Sequence, residues 1–589
     1  MRYLSVAALA TTLVACQPSE QSESAKTSTH TDQSPSPHPE LCESPATPIA
    51  EIQGQGFISP LENQEVTARG VVTHVVPGSG LFIQAERTPD FGITSHGLYV
   101  ESTRLPADLE SGELLTVQGT IRELGEHQDT ITSISLIERY AACGPVAEPP
   151  EIGARLPLSP EQREAFEAMR VVLVQPLTVT AVRDVNEGQI TLSALGLLRA
   201  PTEVALPGTA ALDHQRDNTS WSLTIENDAL SNLEPYTSIH AGAQVREVSG
   251  ILGHDGKQFT LLSENQLDHE SQPLPAFEPA SEEEIRIVSY NLYEYFNGDG
   301  RNSGFPGERG AETLEEFESQ SARIISAIEQ LKPDVLGVME LENDGFEPDS
   351  AIEHLRRSIS EAIGSEFAVA TPRSEQVGTD VINVGLLYRQ DRLEAVGPAR
   401  LLESGNFGPL NRVPIAQVLR DRASDERFVV VVNHLKSKGW CPDSGNNTDQ
   451  GDGQACWNEA RVEGATETVN WARAIAKSAN TDHYLLIGDF NAYRMEDPVR
   501  AIETAGLIEL AAYHNPNEPQ FSYIFRGAAG TLDYAFGSES LAAKSTRGFI
   551  WNINSIYPYS SRPSKPWLRS SDHDPVVVDL LFTQSATPD

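Results

Sequence analysis

Between residues 283 and 583 the chain switches repeatedly between two hydrophobic periods. Short apolar runs of strand length are bounded by polar residues, Gly or Pro: "IRIVSYN", "DVLGVME", "VINVGLLYR", "FVVVVNH", "YLLIGD", "TLDYAF" and "PVVVDLLF". Between some of them lie longer stretches with apolar residues three and four apart. In "TLEEFESQSARIISAIEQL", Leu314, Phe317, Ile324, Ile325, Ile328 and Leu331 form one helical stripe, and Thr313 with Glu316 reads as a capping box. "NEARVEGATETVNWARAIAKSA" predicts another helix. Strands alternating with helices predict a C-terminal α/β or α+β unit in which helices cover sheets.

The N-terminal half carries a different rhythm. From Ile49 to about Cys143, short alternating runs ("EVTARGVVTHVV", "GLFIQ", "GLYVES", "ELLTVQGTIREL", "DTITS") are separated by Gly and Pro, with no long helical stripe. That pattern predicts a small β-barrel over 49–145. Further strand-like runs over 150–275 ("MRVVLVQPLTVTAV", "GQITLSAL", "GKQFTLLSE") predict a second β-rich module without recognisable chemistry. Residues 17–48 are rich in Ser, Thr, Pro, Gln and Glu and predict a disordered linker. Residues 1–16 pair one basic residue with an apolar run too short to span a bilayer, which predicts a signal peptide. Its end, "LVAC", resembles a bacterial lipobox in which Cys16 is lipidated; a plain secretory signal with an incidental cysteine is the other reading.

Composition narrows this picture. A chain of 589 residues needs several cores, and 39% apolar residues suffice to build them. The net charge of -41 bears on solubility and encounter, and it opposes binding of polyanions unless a local basic cleft exists. The chain has eight lysines, and two of them, Lys436 and Lys438, fall together in "NHLKSKGW". Cys42, Cys143, Cys441 and Cys456 are an even set in an exported chain, which predicts the local pairings Cys42–Cys143 and Cys441–Cys456. The loop "CPDSGNNTDQGDGQAC" has the oxygen-rich make-up that suits a structural Ca²⁺ but lacks the EF-hand spacing; a polar stapled loop is the alternative.

The chemistry-bearing residues share one regularity. Asn291, Glu340, Asn433 with His434, Asp489 with Asn491, Asp533, and Asp572 with His573 all stand at an end of an apolar run. One acid after a strand is ordinarily a turn residue or cap. Six strands each offering an acid, amide or histidine at one end predict a shared cleft. Asp489 and Asn491 alternate with Phe490, so both face the site while Phe490 faces a core. Carboxylates and amides are hard ligands for Mg²⁺, Mn²⁺ or Ca²⁺. Two histidines provide acid–base groups, and Arg412, Arg309, Lys436 and Lys438 are available to neutralise anionic oxygens. This set points to metal-assisted hydrolysis of a phosphate ester.

"SYNLY", "VMELEND", "NRVPIAQ", "VVNHLKSKG", "IGDFNAY", "TLDYAF" and "SDHDPV" occur in that order. Together they resemble the deoxyribonuclease-I-like endonuclease/exonuclease/phosphatase superfamily over about 283–583. "FNGDGRNSGFPGERGAETLEEF", "GDGQACWNEARVEGA" and "IQGQGFISPL" resemble its large extracellular bacterial nucleases with an OB-like domain over 49–145. The resemblance implies a two-sheet αββα sandwich. It implies Glu340, helped by Asn291 and Asp572, as metal ligands for Mg²⁺ or Mn²⁺. It implies Asp489, Asn491, His434 and the pair His573–Asp533 as catalytic groups, with Arg412, Asn433 and Lys436 on phosphate. The implied activity is a secreted or surface-tethered nuclease acting on DNA, held to a membrane through Cys16, with RNA as a further substrate and no protein partner indicated. The alternative is a phosphodiesterase or phosphatase acting on lipid or inositol phosphates. "GTDVINVGLLYR" departs from the family where a phosphate-binding tyrosine is common, placing Asp380 before the strand.

Overall fold

Five strands account for the first alternating pattern: β1 (Glu65–Val76), β2 (Gly80–Gln84), β3 (Gly97–Glu101), β4 (Glu113–Glu126) and β5 (Asp129–Pro145). In this computed structural model, β1 pairs with β2 and β4, β2 with β3, and β5 with both β4 and, in parallel, β3, so the sheet closes on itself. Val72, Ile83, Val100, Val117 and Ile134 fill its interior. The structure describes residues 36–582, apart from 88–92, 104, 107, 127–128, 183–184, 228–229, 231–238, 257, 264–266, 271–276, 299–303 and 559–564. Cys16 and residues 17–35 of the expected linker lie outside the described residues. The remainder of that linker is already part of the fold. Ser36–Pro37 pair with β5, Pro39–Glu43 form a 3-10 turn that buries Leu41, and Cys42 is bonded to Cys143 with their Cα atoms 5.6 Å apart. The cross-link and one buried leucine anchor a segment whose composition suggests no core.

Residues 152–270 contribute a nine-stranded, mostly antiparallel sheet and helix α1 (Thr209–Ser220). Val171, Leu173, Val179, Leu192, Ile225, Leu252 and Leu261 belong to its own core.

The C-terminal region is built in chain order from β6 (Ile285–Tyr295), α2 (Leu314–Leu331), β7 (Val335–Glu342), α3 (Ala351–Ile363), β8 (Phe367–Val369), β9 (Ile382–Arg389) and β10 (Leu393–Ala395). It continues with β11 (Ile415–Asp421), β12 (Arg427–His434), α4 (Asn458–Ser478), β13 (Tyr484–Asp489), β14 (Ile508–Glu509), β15 (Asp533–Gly537), β16 (Ser545–Ile550) and β17 (Val576–Leu580). One sheet has the order β8-β9-β7-β6-β17-β16 and the other β10-β11-β12-β13-β15-β14. α2 starts where expected: the Thr313 side chain accepts from the Glu316 amide at 3.2 Å. The return contact goes from the Glu312 amide to Glu316 at 2.9 Å, not to the Thr313 amide, so the box is displaced by one residue.

The two sheets face each other through Ile287, Val335, Met339, Leu386, Ile415, Val430, Val432 and Ile487. The outer faces pack under helices, Tyr290 and Val338 with Ile324 and Leu355 on one side, Val431 and Leu486 with Val469 and Ala472 on the other. Gly337 permits the close approach: a Cβ there would lie 2.5 Å from Ile487 Cδ1. The alternating periods predict helices covering sheets, and the helix–sheet–sheet–helix layering is the one the family resemblance implies.

Candidate active site

The apolar rows between the sheets change character as they reach one rim. Side chains alternate along a strand, so Ile285, Ile287, Ser289 and Asn291 share one face of β6. Phe428, Val430, Val432 and His434 do so on β12, and Leu485, Ile487 and Asp489 on β13. Register then sets His434 beside Asp489, and Asp489 beside Asp533 at the start of β15. Each row spends its inner positions on core packing and its last on a polar group.

Backbone irregularity aims the remaining groups. Glu340 is the extra residue of a bulge, since Met339 and Leu341 pair with successive residues of β9, and its φ is +58°. A bulge re-aims a side chain at just such a rim. Gly488, at φ +134°, lets β13 run against β12, where a Cβ would lie 2.0 Å from the Asn433 carbonyl oxygen. Asn491 follows with φ +48°; its amide donates to Asp489 at 2.8 Å and its side chain donates to the Leu435 carbonyl at 3.1 Å.

The groups form two connected sets. Asn291 donates to Asp489 at 3.4 Å and also hydrogen-bonds Glu340. His434 Nε2 lies 3.5 Å from Asp489 and 4.0 Å from Glu340. Burial, and then the neighbouring charge of Asp572, push Glu340 up to about 7; burial and Asp533 push Asp489 up to about 7. On the other side, His573 Nδ1 donates to Asp533 at 2.7 Å, and Ser522 donates to the same oxygen, also at 2.7 Å. The Tyr523 ring lies 4.6 Å from the imidazole of His573, centroid to centroid. The acceptor atoms of Asp489 and Asp533 and a ring nitrogen of His573 all fall within 4.8 Å of one another.

The histidines are held in opposite states. Burial lowers His434 well below the usual histidine range, and Arg412, His573, Lys436 and Arg309 add to the depression. Burial also opposes charge on His573, but Asp533, Asp572 and Asp489 outweigh it and hold this histidine well above the usual value.

Arg412 reaches the site as expected, with Nη1 3.5 Å from His434 Nε2 and 3.2 Å from the Leu435 carbonyl; its Nε donates to Asp380 at 3.1 Å. Lys436 stays near Arg412, half-buried, with its ammonium 5.2 Å over the Trp457 ring. Two expectations change. Asn433 lies on the opposite face of β12 from His434, fully buried, and donates to the Ile487 carbonyl at 3.4 Å, so it serves the sheet and not a phosphate. Lys438 is paired with buried Glu496 at 2.5 Å and is likewise committed to the structure. Cys441 and Cys456 are bonded as expected, closing the polar loop beyond His434 with their Cα atoms 5.4 Å apart.

Several residues here carry no sequence signal. Ser522 and Tyr523 sit on a hairpin without acid or histidine. Buried Arg461 donates to the carbonyls of Lys436, Gln454 and Cys456 from inside α4. Asp574, the second acid of "SDHDP", accepts from the amides of Ile553 and Asn554 at 2.9 and 2.7 Å and pins that loop.

Residues 288–573 match the model of the Endonuclease/Exonuclease/phosphatase family. Nocturnin of Xenopus laevis is 22% identical over 316 residues, covering 51% of this chain and 73% of that protein. Among solved structures, the human Nocturnin catalytic domain with bound sulfate is 17% identical, covers 51% of this chain and 95% of its own, and has a TM-score of 0.34. The mannosyl-6-phosphatase of Bacteroides thetaiotaomicron is 16% identical, with 51% and 100% covered and a TM-score of 0.33. With its ordered motifs assembled on one rim of a two-sheet sandwich, residues 288–573 form an Endonuclease/Exonuclease/phosphatase family domain.

Proposed function

We propose that this protein is a divalent-metal-dependent phosphodiesterase that hydrolyses extracellular DNA, with RNA as a second substrate. The observation that carries the reading is the pairing of an acid cluster with cations in one cleft. Burial and the charge of Asp572 raise the proton affinity of Glu340, burial and the charges of Asp533 and Glu340 raise that of Asp489, and Arg412, Lys436 and Arg309 gather around His434 in a chain of net charge -41. A crowd of carboxylates in one cleft is suited to a cation, and its all-oxygen character fits Mg²⁺ or Mn²⁺. Glu340, Asn291 and Asp572 would hold the ion. The ion would supply charge to a phosphoryl oxygen. Asp533 and His573 are already bonded to each other, so that pair is read as catalytic rather than as ligands.

The chain's own groups divide the remaining work. With Nδ1 tied to Asp533, a cationic His573 presents Nε2 to the negative charge that builds on the phosphate. Neutral His434 accepts or relays a proton at Nε2, beside Asp489. Asp489, oriented by the Asn491 amide, positions the attacking water. Arg412 and Lys436 hold the substrate's phosphate oxygens. The closed N-terminal sheet, with β3 and β5 parallel and the other pairs antiparallel, is read as an OB-like barrel that guides the strand. The two disulfides and the apolar leader ending at Cys16 support an exported protein held at a membrane surface by a lipid.

A second reading, a phosphatase or phosphodiesterase acting on lipid or inositol phosphates, is favoured by the net charge of -41, which disfavours approach of a polyanion. One assay decides. Plasmid, linear and single-stranded DNA, RNA, inositol phosphates and sphingomyelin are incubated with the protein in Mg²⁺, Mn²⁺ or chelator. DNA hydrolysis abolished by chelator is expected. Hydrolysis of the small phosphates alone would transfer the assignment to the second reading.

A further inference from the structure

The nine-stranded middle sheet has no part in this chemistry, yet it touches the site from behind. Residues 198–204 run beside the hairpin formed by Tyr523–Phe525 and Ala528–Gly530. Ala200 N donates to the Ala529 carbonyl at 2.9 Å and Ala529 N to the Leu198 carbonyl at 2.7 Å, one bridge onto the hairpin before the chain turns into the short helix Pro201–Val204. Arg199 donates to the Gln520 carbonyl, Thr180 to that of Gly527, and Ala200 packs on Tyr493 and Leu532.

Two adjacent residues of this segment reach the two loops that matter. Buried Glu203 accepts from Thr531 N at 2.9 Å, Thr531 Oγ1 at 3.2 Å and Arg494 N at 3.3 Å. Thr531 lies two residues before Asp533. On the same hairpin, the Ser522 amide donates to the Gly530 carbonyl at 3.0 Å, and the Ser522 hydroxyl is the one bonded to Asp533. Thr202 Oγ1 donates to Glu496 at 2.6 Å, and fully buried Glu496 holds Lys438, four residues beyond His434. A buried carboxylate is costly unless donors meet it; besides Arg199 of its own segment, at 3.4 Å, the donors to Glu203 come from the stretches just after Asn491 and just before Asp533.

We propose that Thr202 and Glu203 are positioning residues of the active site, so that the middle module completes the catalytic centre instead of merely separating barrel from enzyme. Glu203 fixes the Asp533–His573 loop; Thr202, through Glu496 and Lys438, fixes the loop after His434. The kinetic part of this inference rests on the phosphodiesterase reading; the structural part does not.

The test uses the full chain with Glu203→Gln, Thr202→Val and the conservative Thr202→Ser. Amide hydrogen exchange in 520–533 should quicken at least about tenfold in Glu203→Gln, and in 436–440 by as much in Thr202→Val, with β6 and β12 unchanged. Turnover of bis(p-nitrophenyl) phosphate in Mn²⁺ should fall about tenfold in both, KM should stay within about twofold, and Thr202→Ser should restore wild-type values. Unchanged exchange in both loops of the folded variants overturns the proposal. If Glu203→Gln does not fold, Thr202→Val, of nearly the same shape, decides alone. A wild-type chain that cleaves no phosphodiester would refute the reading of the reaction, and the exchange measurements would still decide the brace.

Discussion

His573 and Asp533 meet at 2.7 Å, ring Nδ1 to carboxylate, with Ser522 bonded to the same oxygen. This contact favours the cationic form of His573, whereas burial, with Arg412 adding to it, favours the neutral form of His434, whose Nε2 lies 3.5 Å from Asp489. Opposite preferences of this kind suit a pair made of one acid and one base.

Replacing either His434 or His573 by Ala should lower kcat by about 10²-fold or more, the usual contribution of a positioned acid–base group. KM should change far less, because Arg412 and Lys436 remain. The double variant should be less impaired than the product of the single effects, since both act in one step. Near-normal turnover in a folded His573→Ala would end the catalytic assignment of "SDHDP".

Stability of the chelated protein should fall as pH rises from 6.5 to 8.5. Glu340 and Asp489 are raised to about 7, so the stability they contribute is full below their ordinary values of about 4 and is lost as pH rises through about 7. Raised His573 acts in the same direction, losing its contribution as pH climbs through its folded value. Depressed His434 acts only on the acid side, where its contribution is lost as pH drops below its ordinary range. Added Mg²⁺ should raise the thermal midpoint more at pH 8 than at pH 6, because its ligands must lose protons. A midpoint in chelator that is flat from 6.5 to 8.5 contradicts this.

Glu340→Gln keeps the shape and removes the charge. Mn²⁺ affinity by calorimetry should weaken at least about tenfold, and the pH-dependent loss of stability in chelator should shrink. Wild-type activity at low Mg²⁺ would show that Glu340 is not a ligand.

The Cys441–Cys456 bond closes a loop that spans 15 positions and encloses Gln454, whose carbonyl accepts from both Lys438 and Arg461. Changing both cysteines to Ser should cost about 3 kcal/mol in urea unfolding, on the loop-entropy account, and lower turnover. Peptide mass spectrometry under non-reducing conditions should show Cys441 joined to Cys456 and to neither Cys42 nor Cys143.

Much of the site is legible because strand periodicity is local. A reader who sees "FVVVVNH" and "YLLIGD" can place His434 and Asp489 on the inward faces, since each continues a row of valine or isoleucine at every second position. The same rule places Asn433 on the helix side, and its adjacency to His434 misleads. Glu340 is different: its aim depends on a bulge, and nothing in "VMELEND" distinguishes a bulged residue from a paired one. Ser522, Tyr523, Thr202 and Glu203 escape detection because their roles arise from contacts between segments up to 328 positions apart. The part that residues 36–43 take in the barrel is hidden for a similar reason, since Cys143, the partner of Cys42, lies 101 positions away.

The left-handed backbone at Glu340 has an evolutionary reading. A side-chain-bearing residue there costs roughly 1 kcal/mol or more that a glycine would not incur. On the proposed role of Glu340 as a metal ligand, selection tolerates the strain for as long as the ion is needed. In a descendant that kept the sandwich but abandoned the reaction, nothing would oppose drift to glycine at Glu340, whereas Gly488 would persist because β12 and β13 need it merely to lie side by side. Glycine at the former and the latter together would mark a retired enzyme among proteins sharing this architecture.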